Sequence, residues 1–173
     1  MTLPFAIPTL ETERLILREP RESDAAALAD FLSGAGSRFL GGPWPRSDGW
    51  WSVLEAIGHW ALRGHGFWSV ETRAGDFIGR VGVNLNEGWL EPELGWHLFD
   101  GFEGKGYAAE AALAARGHAY RVLGLGPLIS MLAPENSRSI ALARRLGATF
   151  ERADPGTVKP FHVYRHPGPE ARA

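Results

Sequence analysis

The chain has 173 residues, 45% of them hydrophobic and 22% charged, with a formal net charge of -2 at neutral pH. That length suits one domain around a single core, and the composition excludes a disordered chain. The absence of cysteine excludes disulfides, a thiol nucleophile and thiolate metal sites, and the acidic balance speaks against a general nucleic-acid binder.

In chain order, Leu15–Arg18 reads as a short strand, and Ser23 and Asp24 offer an N-cap to a helix from Ala25 to Leu32 that stops at Gly34. A breaker-rich loop, Ser37 to Pro45, leads to a second helix from about Ser47 to Gly64, with Trp51, Leu54, Ile57 and Leu62 as its apolar stripe. From Gly66 the period falls to two: strands Phe67–Glu71 and Phe77–Leu85 flank a turn at Arg73–Asp76, and Leu94–Phe99 follows. A glycine loop, Gly101 to Gly106, opens an Ala-rich helix from Tyr107 to about Leu123. Leu128–Leu132 is a buried strand, Ser137–Leu146 a helix closed by Gly147, and strands near Phe150 and at Phe161–Arg165 complete the order. Hairpins first and a βαβ crossover later mean an α+β domain with a mixed sheet.

The chain reads as one domain over residues 1–173, with a loose tail from about Pro167. Val122 to Pro134 is uncharged for 13 residues, short of the ~20 that a membrane span needs, so no membrane association is expected. Met1 to Pro8 is apolar but lacks a basic flank and a cleavage site, and a cytoplasmic location is expected. The six His are scattered without ligand spacing, so no metal site is expected.

Chemistry concentrates in Glu103-Gly104-Lys105-Gly106-Tyr107-Ala108, where a strand ends and a helix begins. The first N–H groups of a helix lack internal partners and its dipole is positive there, so glycines at that point let an anion approach the backbone closely. A plain glycine turn explains the same residues, and the segment fits neither the triphosphate nor the dinucleotide loop pattern.

The segment resembles the coenzyme-A loop, Q/R-x-x-G-x-G/A, of the GNAT N-acetyltransferase superfamily, with Gly106 and Ala108 at its small positions. Three further stretches are similar to the RimJ/RimL-like branch in the expected order: T-E-R-L-I-L-R at Thr12–Arg18, E-L-G-W-H-L at Glu93–Leu98 and E-N-S-R-S-I-A-L-A-R-R-L-G-A at Glu135–Ala148. The resemblance implies a GNAT-like fold, a mostly antiparallel central sheet flanked by helices, and acetyl-CoA as cosubstrate. It implies that Trp96, His97, Leu98 and Phe99 line the pantetheine arm, with the Leu98 N–H near the thioester oxygen. The backbone of Glu103 to Ala108 would hold the pyrophosphate, and Asn136 the far end of the pantetheine. Where many members carry a leaving-group tyrosine this chain has Ala143, and the branch's N-x-x-S pattern points to Ser139 as the acid. Glu103 departs from the family's Q/R. Asn136 also suits a helix N-cap, and Ser139 simple helix packing.

Acetyl transfer to an amine needs a base, an oxyanion donor and an acid for the leaving thiolate. Glu93 is the candidate base, acting through water, and borders the acceptor; Glu91 is the fallback, and His97, on the same strand face as Glu93, either relays a proton or packs against the cofactor. Glu87, Glu91, Glu93, Asp100 and Glu103 make either an acidic mouth for a cationic amine or a solvated face. Phe39, Trp44, Trp50 and Trp51 suit an apolar acceptor side or the core. The acceptor class is therefore a small-molecule amine or a protein N-terminus, with a homodimer compatible with this reading. An acyl-CoA sensor without turnover and a scaffold for another phosphorylated ligand are the competing readings.

Overall fold

Alternation of large apolar residues makes strands of both halves of the chain, and each strand finds its neighbour through short turns. The structure is a computed structural model that describes residues 5–89, 91–156 and 159–170. Its elements are β1 (Leu10–Glu11), β2 (Leu15–Arg18), α1 (Ala25–Ser33), α2 (Asp48–Arg63), β3 (Phe67–Thr72), β4 (Phe77–Asn84), β5 (Glu93–Leu98), α3 (Tyr107–Arg121), β6 (Ile129–Leu132), α4 (Ser137–Arg145), β7 (Thr149–Asp154) and β8 (Phe161–Arg165). They form one sheet in the order β1-β2-β3-β4-β5-β6-β8-β7, antiparallel except between β5 and β6. This is the mixed, mostly antiparallel α+β architecture expected, with β1 and a 3-10 segment at Ala35–Leu40 added. Among the described residues no helix is long and apolar enough to cross a membrane.

The core lies between the sheet and α3. Leu15, Leu17, Trp68, Val70, Ile78, Val81, Val83 and Leu94 are buried against Ala111, Ala112, Ala115 and Ala119. Alanines on that face let the helix backbone lie close to the strands, and each large side chain buried there contributes about 1.5–3 kcal/mol.

Two local expectations fail for physical reasons. Asp24 gives α1 no side-chain cap. Its carboxylate accepts instead from the buried Arg18 guanidinium at 2.8 and 2.9 Å, from Ser69 Oγ at 2.7 Å and from the Arg21 N–H at 3.0 Å. A cation taken out of water needs a counter-charge more than a helix needs a cap. On α2 the expected stripe largely faces outward, with Trp51 62% and Leu62 85% exposed. The buried face is Gly49, Ser52, Val53, Ala56 and Trp60. Small residues win because α2 lies close on α1: a Cβ on Gly49 would stand 2.5 Å from Ala29 N.

The expected tail is anchored at its start, where Tyr120 Oη donates to the Pro167 carbonyl at 2.9 Å. The remainder at 171–173, like the first part of the apolar start at 1–4, lies outside the described residues.

Candidate active site

Between β5 and β6 the sheet opens. The two strands share one register pair, Glu93 with Ile129, and then part. At the base of the opening a side chain replaces the strand bond: Ser130 Oγ donates to the Leu94 carbonyl at 2.6 Å and meets His166 Nε2 at 2.9 Å. Arg116 donates to His166 Nδ1 at 3.2 Å, so the neutral ring carries its hydrogen on Nε2. Burial, reinforced by the Arg116 charge, pulls the His166 pKa down to about 4. On its other edge β5 is paired with β4 throughout, and the Phe99 N–H donates to the Ile78 carbonyl at 2.8 Å. Strand alternation therefore turns the Leu98 N–H away from β4 and into the opening.

A cavity of about 560 Å³ continues from this opening to the start of α3. Of the expected site residues, it is lined by Phe39, Trp96, His97, Leu98, Glu103, Gly104, Gly106, Tyr107, Ala108, Asn136 and Ser139. Gly106 caps α3 at φ 83°, a left-handed conformation that suits glycine. Among the described residues the N–H groups of Tyr107, Ala108 and Ala109 donate to no acceptor in the chain. The T-E-R-L motif explains how this loop is held. Glu110, in the first turn of α3, accepts from Thr12 Oγ1 at 2.6 Å, the Arg14 N–H at 2.9 Å and Arg14 Nε at 2.7 Å, while Arg14 Nη1 donates to the Lys105 carbonyl at 2.9 Å.

On the opposite wall, Asn136 is indeed the N-cap of α4: its Oδ1 accepts from the Ser139 N–H at 3.2 Å. Ser139 Oγ accepts from Trp96 Nε1 at 3.4 Å, which leaves its own hydrogen for the cavity. His97 stacks on Phe31 with ring centroids 4.9 Å apart, and burial followed by the Arg80 charge holds its pKa well below the usual range.

Five expected residues do not line the cavity. The Phe99 ring packs on Phe31 and Phe77. Lys105 contributes its carbonyl to Arg14 and its ammonium lies over Phe102. Trp44 and Trp50 are exposed on the surface. Glu93 sits at the base of the opening, where its Oε1 accepts from the Met131 N–H at 2.9 Å. The acidic mouth is mostly neutralised: Glu91 pairs with Arg165 at 2.5 Å, Glu87 with Arg63 at 3.2 Å and Glu103 with Arg138 at 3.1 Å. The last pair matches the charge of Glu103, the residue that stands where the family has Q/R. Sequence reasoning missed the cavity's cations Arg38, Arg138 and Arg145. Arg138 and Arg145 stand seven apart on α4, hence on one face, and that spacing was the available signal.

The family model described as an acetyltransferase (GNAT) domain matches residues 14–149. The chain belongs to the GNAT acetyltransferase family. An acetyltransferase from Agrobacterium tumefaciens strain C58 is 39% identical, with a TM-score of 0.87 over 96% of this chain and 98% of that one. A RimL ribosomal L7/L12 alpha-N-protein acetyltransferase in complex with coenzyme A is 19% identical, with a TM-score of 0.79 over 93% of this chain and 98% of that one, and shares the fold. Among curated proteins, YkkB of Bacillus subtilis is 29% identical over 107 residues, which span 59% of this chain and 62% of that protein. The GNAT donor is acetyl-CoA, and the cavity fits it: unpaired helix N–H groups with Arg38 and Arg145 for phosphates, and an open strand edge for an amide-bearing arm.

Proposed function

We propose that the protein moves an acetyl group directly from acetyl-CoA to a primary amine, on a small molecule or a protein N-terminus. The observation that carries this reading is the opened β5 edge, with the Leu98 N–H turned into the gap, Glu93 at its base and Ser139 Oγ across it. Acetyl-CoA supplies an activated carbonyl whose C–S bond breaks as the C–N bond forms. Glu93 takes the proton from the attacking nitrogen. The Leu98 N–H donates to the carbonyl oxygen, where negative charge develops. Ser139 Oγ–H gives a proton to the departing sulfur and regains one from solvent, to which Glu93 releases the proton it took. The N–H groups of Tyr107 to Ala109, with Arg145, hold the phosphates and fix the register of the arm along β5.

Thiol release from acetyl-CoA across an amine panel tests the reaction. Ser139→Ala should lower turnover by on the order of 10²-fold, the lower range for one acid–base group, with little change in acetyl-CoA affinity. Unchanged turnover would remove Ser139 as the acid. No release with any amine would favour the sensor reading.

A further inference from the structure

Three buried side-chain atoms lack a hydrogen-bond partner among the described residues: Arg80 Nε, Asn84 Oδ1 and His97 Nε2. They share one face of the sheet. In the β4–β5 register Arg80 stands opposite His97, Gly82 opposite Gly95 and Asn84 opposite Glu93, and residues two apart on a strand point the same way. Buried polar groups are rarely left unmet, and two of these, on Arg80 and Asn84, line one space and call for a partner from outside the chain.

Arg80 is the costliest of them. The residue is 7% exposed; among the described residues its guanidinium makes one hydrogen bond, from Nη1 to the Ser52 carbonyl at 2.9 Å, and lies over the Phe67 ring at 5.5 Å. Of the carboxylates that act on it, Asp24 is bonded to Arg18 and Ser69, while Glu55 is exposed, shares the small cavity with Arg80 and, among the described residues, makes no ion pair with it. Burial lowers its pKa to about 10, so it is still a cation at neutral pH. A desolvated cation without a paired anion is destabilising unless a ligand supplies the charge.

A small cavity of about 60 Å³ opens at this point, lined by Ser52, Glu55, His59, Phe67, Arg80 and Asn84. His59 has no capacity to spare: its Nδ1 bonds the His65 carbonyl at 2.6 Å and its Nε2 accepts from the Leu85 N–H at 3.0 Å. The unmet groups are a cationic donor and an amide acceptor. The Phe67 ring, in the wall of this cavity, lies 6.1 Å from the ring of His97, which lines the large one. The two spaces are therefore neighbours, and Glu93 lies one cross-strand step from Asn84.

We propose that this pocket receives the carboxylate of the acceptor, so that the amine acetylated is that of a small amino acid. Arg80 Nε donates to the carboxylate, Asn84 Oδ1 accepts from the amine N–H, and Glu93 beside it takes the proton. The assignment rests on the acetyl-transfer reading, whose bond changes it leaves as they are. A volume of about 60 Å³ is on the scale of one small polar group such as a carboxylate.

The test pairs each common L-amino acid with its decarboxylated amine and with a dipeptide that begins with it, and measures thiol release. At least one acid should exceed its decarboxylated partner in kcat/KM by about 10²-fold, the scale of a lost charge-assisted contact in a desolvated pocket. In Arg80→Met that ratio should fall to near one, and Arg80→Lys should keep part of it. Equal use of acid and amine by the native protein would overturn the proposal and leave acetyl transfer intact. A dipeptide used as well as its free amino acid would overturn it too. A second readout needs no turnover: the N-acetylated amino acid should raise the Tm of the native protein, and the rise should vanish in Asn84→Leu and Arg80→Met, checked for folding by circular dichroism. Release from no amine, with that rise intact, would sink acetyl transfer and uphold the pocket. Neither release nor rise would sink both.

Discussion

Burial pushes the Glu93 carboxyl up to about 7, while the N–H of Met131, its hydrogen-bond donor, pulls the other way. A base that half-ionises near neutrality is well matched to taking a proton from an amine at physiological pH. The kcat of the native protein should therefore rise with pH through about 7, and Glu93→Gln should lose that limb along with about 10²-fold in turnover or more. The same group has a folded-state pKa above its unfolded value near 4.5. Its contribution to stability is complete below pH 4.5 and is lost as pH rises through about 7. The Tm of Glu93→Gln minus that of the native protein should thus climb over this window and then level off. Parallel Tm curves would mean that Glu93 is solvated like an ordinary carboxylate.

At the scale of elements, the start of α3 depends on the turn between β1 and β2, more than 90 residues earlier in the chain. Thr12 and Arg14 converge on Glu110, and Arg14 reaches on to the Lys105 carbonyl, so the turn between β1 and β2 holds the glycine loop before α3 in position. Glu110→Ala should shrink the Tm rise that coenzyme A produces while leaving the protein folded. Gly106→Val should abolish that rise, because a branched side chain at φ 83° is strained and its Cβ would stand 3.3 Å from Arg14 Nη2. A full rise in the valine variant would place the phosphates elsewhere. Such elements are legible from sequence where the signal is local. Glycines before a helix, an asparagine three residues before a serine, and alternation over Phe67–Thr72 each state their structure within a few residues. The facing of α2 is not written that way, since its buried side consists of Gly49, Ser52 and Ala56 around Val53 and Trp60, and the large residues that catch the eye point outward. Arg80 is harder still. It stands inside F-I-G-R-V-G-V, and only the meeting of β4, β5 and α2 shows that its charge is buried and unmatched. The Arg18–Asp24 pair is hidden for the same reason, as it joins β2, β3 and the start of α1 through Ser69.

Across the whole molecule, the sheet is two pieces, β1–β5 and β6–β8, that touch at one register pair. The relay from Arg116 through His166 and Ser130 to the Leu94 carbonyl ties them together and requires a neutral imidazole. With its folded pKa depressed to about 4, His166 contributes stability fully above pH 6.5 and loses it as pH falls toward 4. His166→Gln should cost about 1–3 kcal/mol at pH 7, the scale of a buried polar group left unmet. The difference in urea midpoint between it and the native protein should narrow as pH is lowered from 6.5 to 4. A constant difference across that range would show that the ring titrates alike in both states.

The placing of β8 between β6 and β7 has a further consequence for how the chain is made. A ribosome releases β6, then α4, then β7, and until β8 follows, β7 has no lateral neighbour and β6 has only its single residue against β5. The cleft wall that carries Ser139 is therefore completed only once β8 has emerged, and a nascent chain with β1–β5 and α3 already folded still lacks half of its cleft.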